Sequence, residues 1–113
     1  MTHPLENITV VQLAPEDWLQ YKNLRLRALK EDPAAFGSTY EEMVSKEDEY
    51  WKMRLRDAST GDKNWILFAK RNSELVGMLS ANASDQGIAQ IHAVFVVSEA
   101  RGLGIGTLLM SEI

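Results

Sequence analysis

The chain has 113 residues, 45% of them apolar and 25% charged, and 12 Lys plus Arg against 16 Asp plus Glu leave a formal net charge of −4. That suits one packed domain that buries roughly two-thirds of its unfolded surface, and it excludes a disordered chain. The acidic balance offers no Lys/Arg stripe for nucleic acid, the absence of Cys removes disulfides and thiolate chemistry, and no apolar run approaches the ~20 residues that span a bilayer.

Met1 to Asn7 carry no basic patch followed by an apolar stretch, which predicts a cytoplasmic protein that meets neither membrane nor nucleic acid. Ile8 to Leu13 are β-branched and apolar and read as a strand. Ala14-Pro15-Glu16-Asp17 then opens a helix, because proline and acids suit a first turn. From Glu16 to Glu31 the helical period places Trp18, Leu19, Tyr21, Leu24, Leu26, Ala28 and Leu29 on one broad arc. Lys22 and Arg25 fall inside that arc, either as stems lying over apolar surface or as charges facing inward. Asp32-Pro33 stops the helix.

After the loop from Pro33 to Ser38, Tyr40, Met43, Val44, Tyr50, Trp51 and Leu55 form a second arc, so one helix is predicted from Tyr40 to Asp57. Trp65 to Ala69, Leu75 to Asn82 and Ala89 to Val97 read as three strands separated by polar turns, an antiparallel meander, with a bulge at Gly77. The glycine-spaced segment from Arg101 to Gly106 opens a last apolar helix at Thr107 to Met110. The order is therefore β-α-α-β-β-β-α, an α/β (α+β) arrangement with a mixed, largely antiparallel sheet and flanking helices. With His3 and His92 the only histidines, no metal site is expected, although carboxylates alone can hold a hard cation.

A strand running into closely spaced glycines and a helix is a device for holding a diphosphate, since first-turn amides are unpaired and glycines let the backbone approach. The alternative is a plain strand-to-helix turn. A nucleoside-triphosphate loop needs G-x-x-x-x-G-K-[ST], but Gly102 is followed five residues later by Thr107 and no lysine follows Arg101. A dinucleotide fingerprint also fails, because Thr107 or Leu109 stands where its third glycine belongs.

What remains is Arg101-x-x-Gly104-x-Gly106 after the strand Gln90 to Val96, which resembles the [QR]-x-x-G-x-[GA] acyl-CoA motif of the GNAT superfamily of N-acetyltransferases. The resemblance runs through the Arg25-Leu26-Arg27-Ala28-Leu29 and Pro33 to Ser38 segments and covers nearly the whole chain. It implies one N-acetyltransferase domain over residues 1–113 that uses acetyl-CoA as cosubstrate and acetylates a small-molecule or peptide amine. On the same resemblance the backbone of Val94, Phe95 and Val96 would pair with the pantetheine arm. Arg101, Gly102, Leu103, Gly104, Ile105, Gly106 and Thr107 would form the pyrophosphate turn, and Phe36 and Ser38 would border the acceptor.

Family members often carry a glutamate base on this last strand, where Gln90 stands here, and no catalytic residue can be assigned. His92, on the same strand face, is either a base acting through water or a structural histidine. The resemblance also implies a partner strand and a thiolate-protonating tyrosine beyond Ile113, so the domain is expected to lack its C-terminal part and to form homo-oligomers through an exposed sheet edge. The alternatives to an enzyme are a non-catalytic acyl-CoA-binding module and an interaction module.

Overall fold

The computed structural model describes residues 7–33, 39–60, 64–83 and 86–112, without the side chains of Ser59 and Thr60. Four antiparallel strands lie in sequence order: β1 (Ile8–Val11), β2 (Asn64–Arg71), β3 (Glu74–Ala83) and β4 (Ala89–Val96). The β2–β3 turn is tight, with Arg71 opposite Glu74, and Asn72 sits at φ 58, where asparagine is tolerated better than most residues. The meander is as expected, and every pairing among the described strands is antiparallel.

A 3-10 turn at Pro15–Asp17 leads into α1 (Trp18–Glu31), which ends at the Asp32-Pro33 stop. The arc holds for Tyr21, Leu24, Ala28 and Leu29, all buried, but Leu19 is 53% exposed and lies outside it. Lys22 and Arg25 are half-buried, and burial lowers the pKa of Arg25 from its ordinary value.

The single helix expected from Tyr40 to Asp57 is instead two, α2 (Tyr40–Val44) and α3 (Asp48–Thr60). Thr39 caps α2, its Oγ1 accepting the Glu42 N–H at 3.2 Å. The helix then breaks because Ser45 Oγ donates to the Glu42 carbonyl at 3.1 Å, which competes with the helical ladder. The helical periodicity runs through the break because both pieces pack on the same core.

One face of the sheet meets α1 and α3. Tyr21 packs edge-on against Trp51, ring centroids 5.3 Å apart, and against Phe68 at 5.8 Å, and all three rings are almost fully buried. The other face meets α4 (Ile105–Ser111). There Gly77 makes room: a Cβ at that position would lie 3.2 Å from Ile105 Cγ2 and 3.2 Å from the Phe95 carbonyl oxygen.

The register carries two irregularities. Ala69 pairs with Gly77 and Lys70 with Leu75, so Val76, next to the glycine, is the extra residue of the predicted bulge. Ser80 pairs with Ala93 and Ala81 with Ile91, so His92 is the extra residue of a second bulge, one that strand alternation alone did not reveal. No helix among the described residues is long and apolar enough to cross a membrane.

Candidate active site

After β4 the chain takes a 3-10 turn at Ser98–Ala100, then passes through Gly102 at φ 83 and Gly104 at φ 84 into α4. Side chains rarely adopt this left-handed geometry, so glycine is needed here for conformation. It is not needed for space, since a Cβ at either residue would meet nothing within 4 Å. The turn is anchored from both sides by Ala100, Ile105 and Leu109, each buried in the core. Leu108 is the first residue whose N–H reaches back along α4, to the Gly104 carbonyl at 3.0 Å, so the preceding amides lie outside the helix's own ladder.

Over this turn lies a cavity of about 290 Å³ that brings together Val96, Arg101, Gly102, Gly104, Ile105, Gly106 and Thr107 from the sequence-based set. It adds Ala100 and Met110, which motif reading missed. Met110 was accessible to helical periodicity, standing four residues beyond Gly106 and three beyond Thr107. Leu103 is half-buried against the core and does not line the cavity.

Val94 and Phe95 also lie away from this cavity. The Val97 N–H donates to the Val76 carbonyl at 2.9 Å, and strand alternation then turns the Phe95 backbone toward β3 and the Val94 and Val96 groups toward the outer edge. Arg101 Nε donates to the Val96 carbonyl on that edge at 2.9 Å, and its guanidinium lies over the Phe95 ring. Among the described residues β4 has no partner strand on this side.

Arg27 of α1 bonds both Glu31 and Glu99, tying the first helix to the residues just before the glycine turn. The Arg27 guanidinium holds the Glu99 carboxyl at about 2, well below the ordinary carboxylate range, and the acids raise Arg27 in return.

A second cavity, of about 180 Å³, opens on the α1–α3 face at the bulge of β4, where Arg54, Asp57, Asn64, Trp65, Ser80 and His92 are among its walls. His92 Nε2 is 2.6 Å from Asn82 Oδ1, a hydrogen bond in which the ring nitrogen donates to the amide oxygen. Gln90, opposite Asn82, is exposed and does not line this cavity. Desolvation opposes the charge on Arg54, but Tyr21, Tyr50 and Asp57 outweigh it and raise its pKa. Phe36 and Ser38 lie outside the described residues. No three acidic or histidine side chains gather into a metal-binding group among the described residues.

An antiparallel sheet whose last strand runs through a glycine turn into a helix on the opposite face from the other helices defines the class. It is an α+β fold with a glycine turn ahead of its last helix. The family model described as the acetyltransferase (GNAT) family matches residues 16–113, and the chain belongs to that family. It is similar to an uncharacterized N-acetyltransferase of Archaeoglobus fulgidus, 29% identical over 99 residues, covering 76% of this chain and 67% of the relative. In fold it matches a GNAT-family acetyltransferase from Streptococcus pneumoniae at a TM-score of 0.74 and 17% identity, over 93% of this chain and 64% of that one. It likewise matches the PaiA N-acetyltransferase of Thermoplasma acidophilum, solved in complex with coenzyme A, at a TM-score of 0.74 and 18% identity, over 93% of this chain and 68% of that one. The chain thus spans about two-thirds of the length of these relatives.

Proposed function

We propose that this chain is an N-acetyltransferase domain that moves an acetyl group from acetyl-CoA directly to a primary amine. The observation that carries the proposal is the cavity built over two left-handed glycines at the end of β4, in a chain of the GNAT family. The relative solved with coenzyme A supports the same ligand. The amides from Gly104 to Thr107 would meet the pyrophosphate, and the Val94 and Val96 backbone would pair with the pantetheine arm as an added strand. With the Val96 carbonyl already engaged by Arg101, the arm is left the Val94 groups and the Val96 N–H.

In the transfer, the neutral amine attacks the thioester carbonyl, a C–N bond forms, and the C–S bond breaks to release CoA. A backbone N–H on β4 would meet the developing oxyanion. The amine's proton passes to water, since Gln90 cannot usefully take it, and the departing thiolate takes up one proton from water, so the products are the amide and free CoA thiol. The cytoplasm is the proposed setting, because the reaction needs a supply of acyl-CoA. Two copies pairing through the outer edge of β4 would compete with pantetheine, so acetyl-CoA should reduce any concentration-dependent light scattering.

The test is Gly104→Asp, which places a side chain and a negative charge where the pyrophosphate would lie. Calorimetric titration should show acetyl-CoA binding lost while far-ultraviolet dichroism persists. Binding within about twofold of the parent, a gap of only ~0.4 kcal/mol, would overturn the diphosphate assignment. Thiol release with a panel of amines separates transfer from the non-catalytic binding alternative.

A further inference from the structure

Acetyl-CoA presents two separate anions, the diphosphate proposed to lie on the glycine turn and a phosphomonoester on the 3′ oxygen of its ribose. The chain is equipped for them unequally. A phosphomonoester carries about −1.5 to −2 charges near neutral pH, and reading it takes a cation or several N–H donors aimed at it. Between Asn72 and Ile113 the sequence holds a single Lys or Arg, Arg101, and every other one lies from Lys22 to Arg71. Arg101 is also already engaged, its Nε donating to the Val96 carbonyl at 2.9 Å and its guanidinium lying 5.8 Å from the centre of the Phe95 ring. Phe95 pairs with Met78, which pairs in turn with Phe68 of the aromatic cluster, so this ring belongs to the α1–α3 face. The one cation is thus held at the outer edge of β4 and drawn toward the face opposite α4.

Every other residue lining the 290 Å³ cavity over the turn is uncharged. The ionised side chains that flank Arg101 along the chain are both acids, Glu99 ahead of the turn and Glu112 at the end of α4. The wall also carries Met110, three residues beyond Thr107 and 45% exposed, an unusual placement for a large apolar side chain. It stands one helical turn past the amides assigned to the diphosphate, and its soft thioether suits the flat face of a base or ribose and gives nothing to a phosphate.

We propose that this site takes as acyl donors the thioesters of pantetheine joined through a diphosphate to a nucleoside, and that it leaves the 3′-phosphate in water. Thioesters of 3′-dephospho-CoA then bind as well as those of CoA, with Met110 beside the nucleoside end. The proposal rests on the acyl-CoA reading of the glycine turn and adds to it the range of donors. Uncharged backbone amides hold a diphosphate through short hydrogen bonds, and that attraction does not extend to a second phosphate beyond their reach. A phosphate that keeps its water on both sides of the equilibrium adds nothing to affinity, and salt screens its repulsion from Glu99 and Glu112.

The test is calorimetric titration of the chain with acetyl-CoA and with acetyl-3′-dephospho-CoA, each at low and at high sodium chloride. The two dissociation constants should agree within about twofold at both salt concentrations. Met110→Lys then puts a cation on the cavity wall at an exposed position, with far-ultraviolet dichroism confirming that the fold is kept. At low salt this variant should prefer acetyl-CoA by about threefold or more, and the preference should fade at high salt, as expected of an exposed ion pair. Met110→Gln, polar but uncharged, should show no such preference. A parent that favours acetyl-CoA by more than about twofold reads the 3′-phosphate, which overturns the proposal and leaves the acyl-CoA reading standing. A Met110→Lys ratio equal to the parent's overturns it as well, by removing the nucleoside end from this wall. Binding of neither thioester sinks the acyl-CoA reading itself, and the proposal with it.

Discussion

The two faces of the sheet are built by opposite means. Toward α1 and α3 the space is filled by volume: Tyr21, Trp51 and Phe68 interlock edge-to-face, and Met78 and Leu55 close the gaps. Toward α4 glycines set the geometry: Gly77 makes room under the helix, and Gly102 and Gly104 supply the left-handed turn that begins it. The first face holds the fold together by packing; the second sets the path of the chain at the proposed pyrophosphate turn. Stability and ligand binding should therefore respond separately to substitution on the two faces.

The largest expected effect tests the aromatic face. Phe68→Ala removes a fully buried ring and should destabilise the chain by about 3–5 kcal/mol in urea unfolding, while the fraction still folded binds acetyl-CoA as before. A loss of affinity in the folded fraction would break the separation between the faces.

On the glycine face, Gly77→Val must push against the Phe95 carbonyl and Ile105, and overpacking of this kind costs about 2–3 kcal/mol. It should also weaken acetyl-CoA binding, because α4 and the turn ride on that contact. Unfolding and titration on one sample check both expectations.

Two neighbouring glycines sharpen the comparison further, since they should differ in sign. Gly104→Ala forces a side chain into a left-handed conformation and should cost about 1–2 kcal/mol, although nothing crowds it. Gly106 lies within α4, where a Cβ would be 3.7 Å from Val94 Cγ1, an ordinary contact, so Gly106→Ala should stabilise by about 0.5–1 kcal/mol. Thermal melts of the pair decide it, and equal signs would show that the turn is not conformationally constrained.

The smallest effect belongs to the link between the faces, the exposed Arg27–Glu99 pair. The folded-state carboxyl of Glu99 sits at about 2, below its ordinary 4.5, so its contribution is present above pH 4.5 and is lost as pH falls from there toward 2. Glu99→Gln should flatten that acid limb of the stability curve, and salt should do the same to the parent because both partners are exposed. A parent curve unchanged by the substitution would leave the two faces joined by packing alone.

Local patterns carried much of this molecule. A β-branched run marked β1, apolar runs between polar turns marked the other three strands, Asp32-Pro33 marked the end of α1, and the Arg101 to Gly106 spacing marked the turn, because each is a property of a few consecutive residues. The split between α2 and α3 was hidden because Ser45 breaks the helix through a side-chain bond that periodicity does not register. The exposure of Leu19 was hidden for a related reason, since an arc gives an orientation but not the extent of what covers it.

The sequence by itself determined the four strands and their order, the antiparallel meander and the glycine turn ahead of the last helix, all of which follow from short-range dihedral preferences and the alternation of apolar residues. Only the tertiary structure decided that His92 is an extra residue in β4, since a bulge is a relation between two strands and is written in neither alone. The same holds for Ser80, an ordinary strand residue until α3, β2 and β4 enclose its hydroxyl beside Asp57 and His92, 23 residues before it and 12 after it in the chain. A cavity is made by residues that meet across the fold, so no local pattern announces it.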